Sequence, residues 1–462
     1  MSKVLLIYPS QLYAPFWGER TSVKPHMLSL FSFLRHNKIN VEVLDLENEI
    51  GRPKNEDEVK KFLGKASEII SRFNFNIVAI SCWSSLNYLS SISVADICKG
   101  INHRSTIVVG GYHPSALPED FIYERSPFDF IVTGEGEVAL VKICKNEERK
   151  DAGSKIIHGT PLLLDKEFAT DWKHYKYTRL SSADNIYLSR GCLYSCAFCM
   201  EGCKGHKTWR SYSVARAIEK IKEVIEVLKP QMIGICDACF GFNKTWRRKF
   251  LHELVKHKID TNLWAETRID LLDKEDIDLL SKLNISITFG LESGSEEMLC
   301  IMKKTNKPKA YLKKCEDVIG YLNKKQVPYN ILLIFNHPGE TLATYNRSIG
   351  FFSSMISIQN KISGFLVAQD YAFFPGSQIH RSYNYYKKRF GTVVVFKEWW
   401  NERGNHYQRA RTIIPSRELF KQPGGRVDWF KTVNDLNRQS FEKMPVKARS
   451  FWEKRSETIK QL

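Results

Sequence analysis

Through residue 377, short apolar runs alternate with stretches of helical length, and this alternation restricts the chain to parallel α/β architecture. Within residues 1–145, strands are predicted over 4–8, 40–46, 76–81, 106–110 and 128–132. Helices are predicted over 25–37, 56–73 and 86–101. Such a segment folds as a doubly wound, Rossmann-like sheet with ligands at its strand carboxyl ends. Across 185–378 further strands are predicted over 186–189, 232–236, 263–265, 285–289, 331–335 and 364–368. The helix predicted over 214–228 carries one apolar stripe. Six strand–helix units predict a partial (βα)6 TIM-like barrel. Residues 146–184 read as a linker, and 379–462 as a mainly helical cap.

The run Ser-Arg-Gly-Cys-Leu-Tyr-Ser-Cys-Ala-Phe-Cys-Met places Cys192, Cys196 and Cys199 in CxxxCxxC spacing, with Phe198 before the last cysteine. It directly follows a predicted strand, where barrels place their sites. Three close thiolates can ligate three irons of a [4Fe–4S] cluster, leaving one iron open. Structural zinc sites usually pair CxxC with a second ligand pair a dozen or more residues on. Ferredoxin-type runs supply a fourth cysteine, and Cys203 keeps that alternative open.

The CxxxCxΦC loop, Φ being Phe198, resembles that of radical S-adenosylmethionine (SAM) enzymes. The resemblance implies that SAM chelates the open iron and yields a 5′-deoxyadenosyl radical, with Phe198 near the adenine. It also implies an external electron donor such as flavodoxin or ferredoxin. Carried onto the barrel strand ends, it gives Asp237, Arg268, Glu292 and Ser293 as SAM contacts, and the His337–Thr341 run as an adenine-side loop.

The segments GGYHPSALPEDF and DFIVTGEGE resemble the cobalamin-binding domain that precedes the barrel in one large radical SAM subfamily. That resemblance places a corrin near Cys82, Trp83, Ser84 and Ser85, near Gly110, Gly111, Tyr112 and His113, and near Thr133, Gly134 and Glu135. The Asp-x-His-x-x-Gly cobalt-ligand motif is absent. The combination implies methylation of an unactivated carbon, each turnover using one SAM as methyl source and another as radical source. Rearrangement, ring contraction and cyclisation are the alternatives within the same chemistry. An RNA-modifying protein with a degenerate first domain is the alternative outside it.

Composition excludes disorder: 43% of residues are hydrophobic and 12% aromatic. No apolar run approaches the ~18 residues of a membrane span. Eleven cysteines, an odd number, argue for a reducing, cytoplasmic setting. Net charge is +18, and 19 Lys/Arg against 8 Asp/Glu lie between Arg381 and Leu462. That tail also carries 14 aromatics, Trp399, Trp400, Trp429 and Trp452 among them. It reads as a cap forming one wall of a substrate pocket, or as a surface for an anionic partner, nucleic acid included. The substrate itself, a peptide, small metabolite or lipid, is not specified by any motif.

Overall fold

A computed structural model describes residues 2–14, 23–147, 155–166, 170–177, 183–204 and 207–461. The first domain is a six-stranded parallel sheet. Its strands are β1 (Lys3–Tyr8), β2 (Asn40–Asp45), β3 (Ile77–Ser81), β4 (Thr106–Gly110), β5 (Phe130–Thr133) and β6 (Lys155–His158). They run in the order β2-β1-β3-β4-β5-β6. Helices Pro25–His36, Glu56–Ile70, Tyr88–Ile101 and Glu137–Cys144 cover the two faces. Both faces of β1 are buried: Val4, Leu6 and Tyr8 join one core cluster, while Leu5 and Ile7 join the other. That explains the uninterrupted apolar run in its sequence.

β6 lies within the segment read as a linker. Its pattern, Lys-Ile-Ile-His, has one buried residue, Ile157, so it carried no strand-length apolar signal. Edge position explains this: only one side needs to be covered, and pairing with β5 from Phe130↔Lys155 to Thr133↔His158 supplies the order.

The second domain is built on β7 (Ala183–Ile186), β10 (Met232–Ile235), β11 (Asn262–Thr267), β12 (Ile285–Glu292), β13 (Tyr329–Phe335) and β14 (Gly364–Asp370). These six pair in strict sequence as an open, all-parallel sheet with β14 and β7 at its ends, the partial barrel expected. Between β7 and β10 a two-stranded antiparallel ribbon, β8 (Ser189–Arg190) with β9 (Arg210–Ser211), encloses the cysteine run. The helix after β9, Val214–Leu228, starts from a Ser213 cap and buries Ala217, Ile218, Ile221 and Val224.

The C-terminal segment is helical over Tyr383–Phe390, Phe430–Glu442 and Val446–Gln461. It clasps both domains. The Asn437 amide bonds the backbone N–H and carbonyl of Leu366 on the free edge of β14, at 2.8 and 2.9 Å. The Trp400 indole donates to Asp120 of the first domain at 2.8 Å, and Trp399 is fully buried, donating to the Phe373 carbonyl. Most tail tryptophans are thus core or anchor residues with satisfied N–H groups. No helix is long and apolar enough to cross a membrane among the described residues.

One buried ion pair holds the barrel's outer helices in place. Arg247 reaches Asp276 through two bonds of 3.0 and 2.8 Å and donates to the Gly241 and Leu271 carbonyls. Both side chains are almost wholly excluded from water. Asp276→Ala strands the guanidinium, so the unfolding free energy is expected to fall by about 3–5 kcal/mol. A urea titration of the purified protein checks this, and an unchanged midpoint contradicts it.

Candidate active site

The carboxyl edge of the first sheet faces the mouth of the barrel across a cleft of ≈ 450 Å³. One wall carries Trp83 and Ser84 after β3, Gly110 to Tyr112 after β4, and Gly134 to Glu137 after β5. The opposite wall carries Tyr187, Arg190, Cys192, Cys199, Met200 and Glu201. The residues lining this cleft lie between His26 and Ala238.

Close backbone crossing explains the first wall's glycines. Cys82 N–H bonds the Gly110 carbonyl at 2.9 Å. Gly111 has φ +128°, and a Cβ there would stand 2.2 Å from the Cys82 carbonyl oxygen. Only glycine lets these two loops cross. Trp83 stacks on His26 with ring centroids 4.2 Å apart and takes Tyr112 edge-on at 5.0 Å.

Some residues expected here turn elsewhere. Cys82, Ser85 and His113 are fully buried behind the cleft wall. His113 bonds Ser85 Oγ at 2.7 Å and Asp120 at 3.0 Å, and that carboxylate also receives Trp400. Burial holds the His113 imidazole below its ordinary pKa. Ser85 and His113 tie their loops through Asp120 to Trp400 of the cap. Thr133 is bonded to His158 of β6 instead of lining the cleft.

The second wall is the cysteine loop, pinched at its base. Gly191, at φ +86°, sits so close to the returning strand that a Cβ would lie 2.0 Å from the Thr208 carbonyl oxygen. Cys192 and Cys199 line the cleft, and Cys196 stands behind them beside Arg268. Arg268 Nη1 is 3.8 Å from Cys196 Sγ, and its guanidinium lies 3.8 Å above the Tyr194 ring. A hydrogen bond from the Cys239 thiol holds the Cys192 thiol below its ordinary pKa. Cys203 packs beside Gly376 and Ala116, with its sulfur 3.8 Å from the Tyr112 carbonyl oxygen.

Asp237 is engaged by the chain itself. Its carboxylate accepts from the backbone N–H groups of Leu188 and Ser189 and from Ser189 Oγ, at 2.8, 3.0 and 2.6 Å. It fastens the entry to the cysteine loop onto the end of β10. Ser293 likewise bonds Ser348 and the Ser295 N–H. Glu292 sits at a register shift in β12 with φ 77°, an unusual backbone for a glutamate. It pairs there with buried Lys304 at 3.1 Å. Arg268 is held by Asp270 and the Lys304 carbonyl. Phe198 meets His337 edge-on at 6.3 Å.

Sequence reading did not single out Lys304 or Glu266, whose carboxyl is pushed up to about 7 by burial and by Glu292. It also passed over Arg190 and Arg210. Only Arg190's place beside the cysteine run could have marked it.

The residues fit the groups that the sequence implies. Three thiols share one loop, and the buried cations Arg268 and Lys304 lie beside Cys196 to balance thiolate charge. Among the described residues, no three His, Cys, Asp or Glu side chains converge as a single-ion site requires. A cluster asks for something different, one iron for each thiolate. The broad, largely apolar cleft with aromatic and glycine walls suits a flat macrocycle.

Residues 26–143 match the B12 binding domain and residues 186–352 the radical SAM superfamily. An uncharacterized methyltransferase of Pyrococcus horikoshii is 26% identical over 253 residues, covering 50% of this chain and 55% of that protein. The cobalamin-dependent radical SAM methyltransferase TokK of Streptomyces tokunonensis is 26% identical over 191 residues, 36% of this chain and 28% of TokK. The chain thus spans about half the length, or less, of the curated relatives it matches. The radical SAM methyltransferase TsrM from Kitasatospora setae, solved with tryptophan and a SAM analog, superposes at a TM-score of 0.67. The identity is 16%, over 95% of this chain and 89% of TsrM, so this likeness is one of fold.

The pinch at Gly191 yields a sharp expectation. Gly191→Ala forces β8 and β9 apart, so iron bound per chain after anaerobic reconstitution should drop severalfold while the far-ultraviolet circular dichroism stays unchanged. Full iron loading of this variant would show that the stem does not set the loop.

Proposed function

We propose that this radical SAM protein with a B12-binding domain is a cobalamin-dependent methyltransferase acting on an unactivated carbon. One observation carries the reading: a single cleft has the first sheet's carboxyl edge as one wall and the cysteine loop as the other. Two cofactor sites that open on one space can act on one substrate.

When bound, the cluster with SAM supplies a radical that abstracts hydrogen, and cobalamin supplies the methyl group. Cys192, Cys196 and Cys199 would hold the cluster. Arg268 and Lys304 offset its charge, and Asp237 fixes the strand end from which the loop departs. Glu292, Glu266 and Arg268 gather polar groups beside the loop, where a zwitterionic ligand can be neutralised. Trp83, Tyr112 and Tyr187 make the cleft walls apolar, which keeps water from a reactive intermediate.

Anaerobic reconstitution with iron, sulfide and hydroxocobalamin should give both a cluster band and a cobalamin band in the visible spectrum. With SAM and an external reductant, 5′-deoxyadenosine should form. It should vanish in Cys192→Ala, Cys196→Ala and Cys199→Ala, while Cys203→Ala keeps its cluster. A cluster band without a cobalamin band would sink the methyltransferase reading and leave the radical chemistry standing. Deoxyadenosine release at full rate by any of the first three variants would refute the cluster ligands.

A further inference from the structure

We propose that Glu135, gripped by Arg190 and Arg210, is a positioning residue that couples the two walls of the cleft, so that filling either cofactor site strengthens binding at the other. The inference rests on the reading of the two sites given above.

Arg190 and Arg210 are directly paired partners on the β8–β9 ribbon, the stem from which the cysteine loop springs. Both reach across to the loop after β5. Arg190 Nη1 lies 3.0 Å from Glu135 Oε2, and Arg210 holds the other carboxylate oxygen. Arg190 Nη2 also bonds Glu137 at 2.8 Å and Ser29 at 2.9 Å. Neighbouring positive charge holds the Glu135 carboxyl below its ordinary range despite burial. At the far end of the loop, Tyr112 donates to Glu201 at 2.6 Å. The cysteine loop is therefore fastened at its stem and beyond Cys199 to the same loops that line the corrin side.

Any ordering that a cofactor imposes on its own loop passes through these ion pairs to the facing loop, and ordering a loop costs conformational entropy. Because the loops share one set of ion pairs, whichever ligand binds first orders both. The second then binds to a surface already fixed, which is positive coupling without a change of shape. Glu135 is the hinge of this arrangement because both arginines converge on it. Without its charge, the arginines on the stem keep Glu137 as their acidic partner on the first domain among the described residues.

The test needs no substrate. Hydroxocobalamin is titrated anaerobically into the full chain in two forms, one reconstituted with iron and sulfide and one without cluster. Bound cobalamin is read from its absorbance after equilibrium dialysis. In the wild type, the dissociation constant without cluster should exceed that with cluster by on the order of 10-fold. In Glu135→Gln the ratio should fall to about one, with iron content preserved. Arg190→Lys keeps the charge but loses the fork that reaches both glutamates, and it should reduce the ratio likewise. A merely structural Glu135 would weaken cobalamin equally in both forms and leave the ratio intact, which would overturn the proposal. A wild-type ratio of one would overturn it too, with the cobalamin reading untouched. Failure of the wild type to bind hydroxocobalamin in either form would instead bring down the reading of the cleft and this inference with it.

Discussion

A buried carboxylate must find donors, and Asp237 finds three of them on one short turn of chain. Leu188 and Ser189 supply two backbone N–H groups and one hydroxyl, all within 3.0 Å. Burial still lifts its carboxyl to about 6, so the donors offset only part of the cost of taking it out of water. What that cost secures is position. The chain leaves β7 along a fixed line, enters the β8–β9 ribbon, and delivers Cys192 to the cleft two residues later. The cysteine loop, the ribbon arginines and the facing glutamates all depend on that departure angle.

From there the architecture follows a simple logic. Parallel sheets place functional loops at strand carboxyl ends. Two such sheets, set with these ends toward each other, concentrate both sets of loops in one space. Glycines appear where the loops crowd: Gly111 where two first-domain loops cross, and Gly191 where the cysteine stem closes. Neither glycine is explained by a ligand; each is explained by a carbonyl oxygen about 2 Å from where a Cβ would be.

Much of this was legible in the sequence because it rests on local pattern. Alternating runs marked most of the parallel strands, though the one expected over 186–189 forms at Ala183–Ile186, and cysteine spacing marked the loop. What escaped was set by long-range partners. β6 has a single buried residue, so only pairing with β5 makes it a strand. The family resemblance gives Asp237 as a SAM contact, but no local pattern reveals that its carboxylate also holds chain 48 and 49 residues earlier. His113 and Ser85 flank the right loops, and their buried side chains bond each other, His113 reaching Asp120 as well. Spacing tells which backbone segment reaches an edge, but the rotamer that a buried polar group adopts is decided by what else needs a partner.

The amide of Asn437 has a further meaning. An open barrel exposes a strand edge whose unpaired backbone groups invite another chain to add itself. Here a helix side chain takes one N–H and one carbonyl of β14, imitating the two bonds that a seventh strand would make at that residue. The helix Phe430–Glu442 thus works as a stopper as well as a cover, and it lets the barrel remain incomplete without becoming a seed for sheet-to-sheet association.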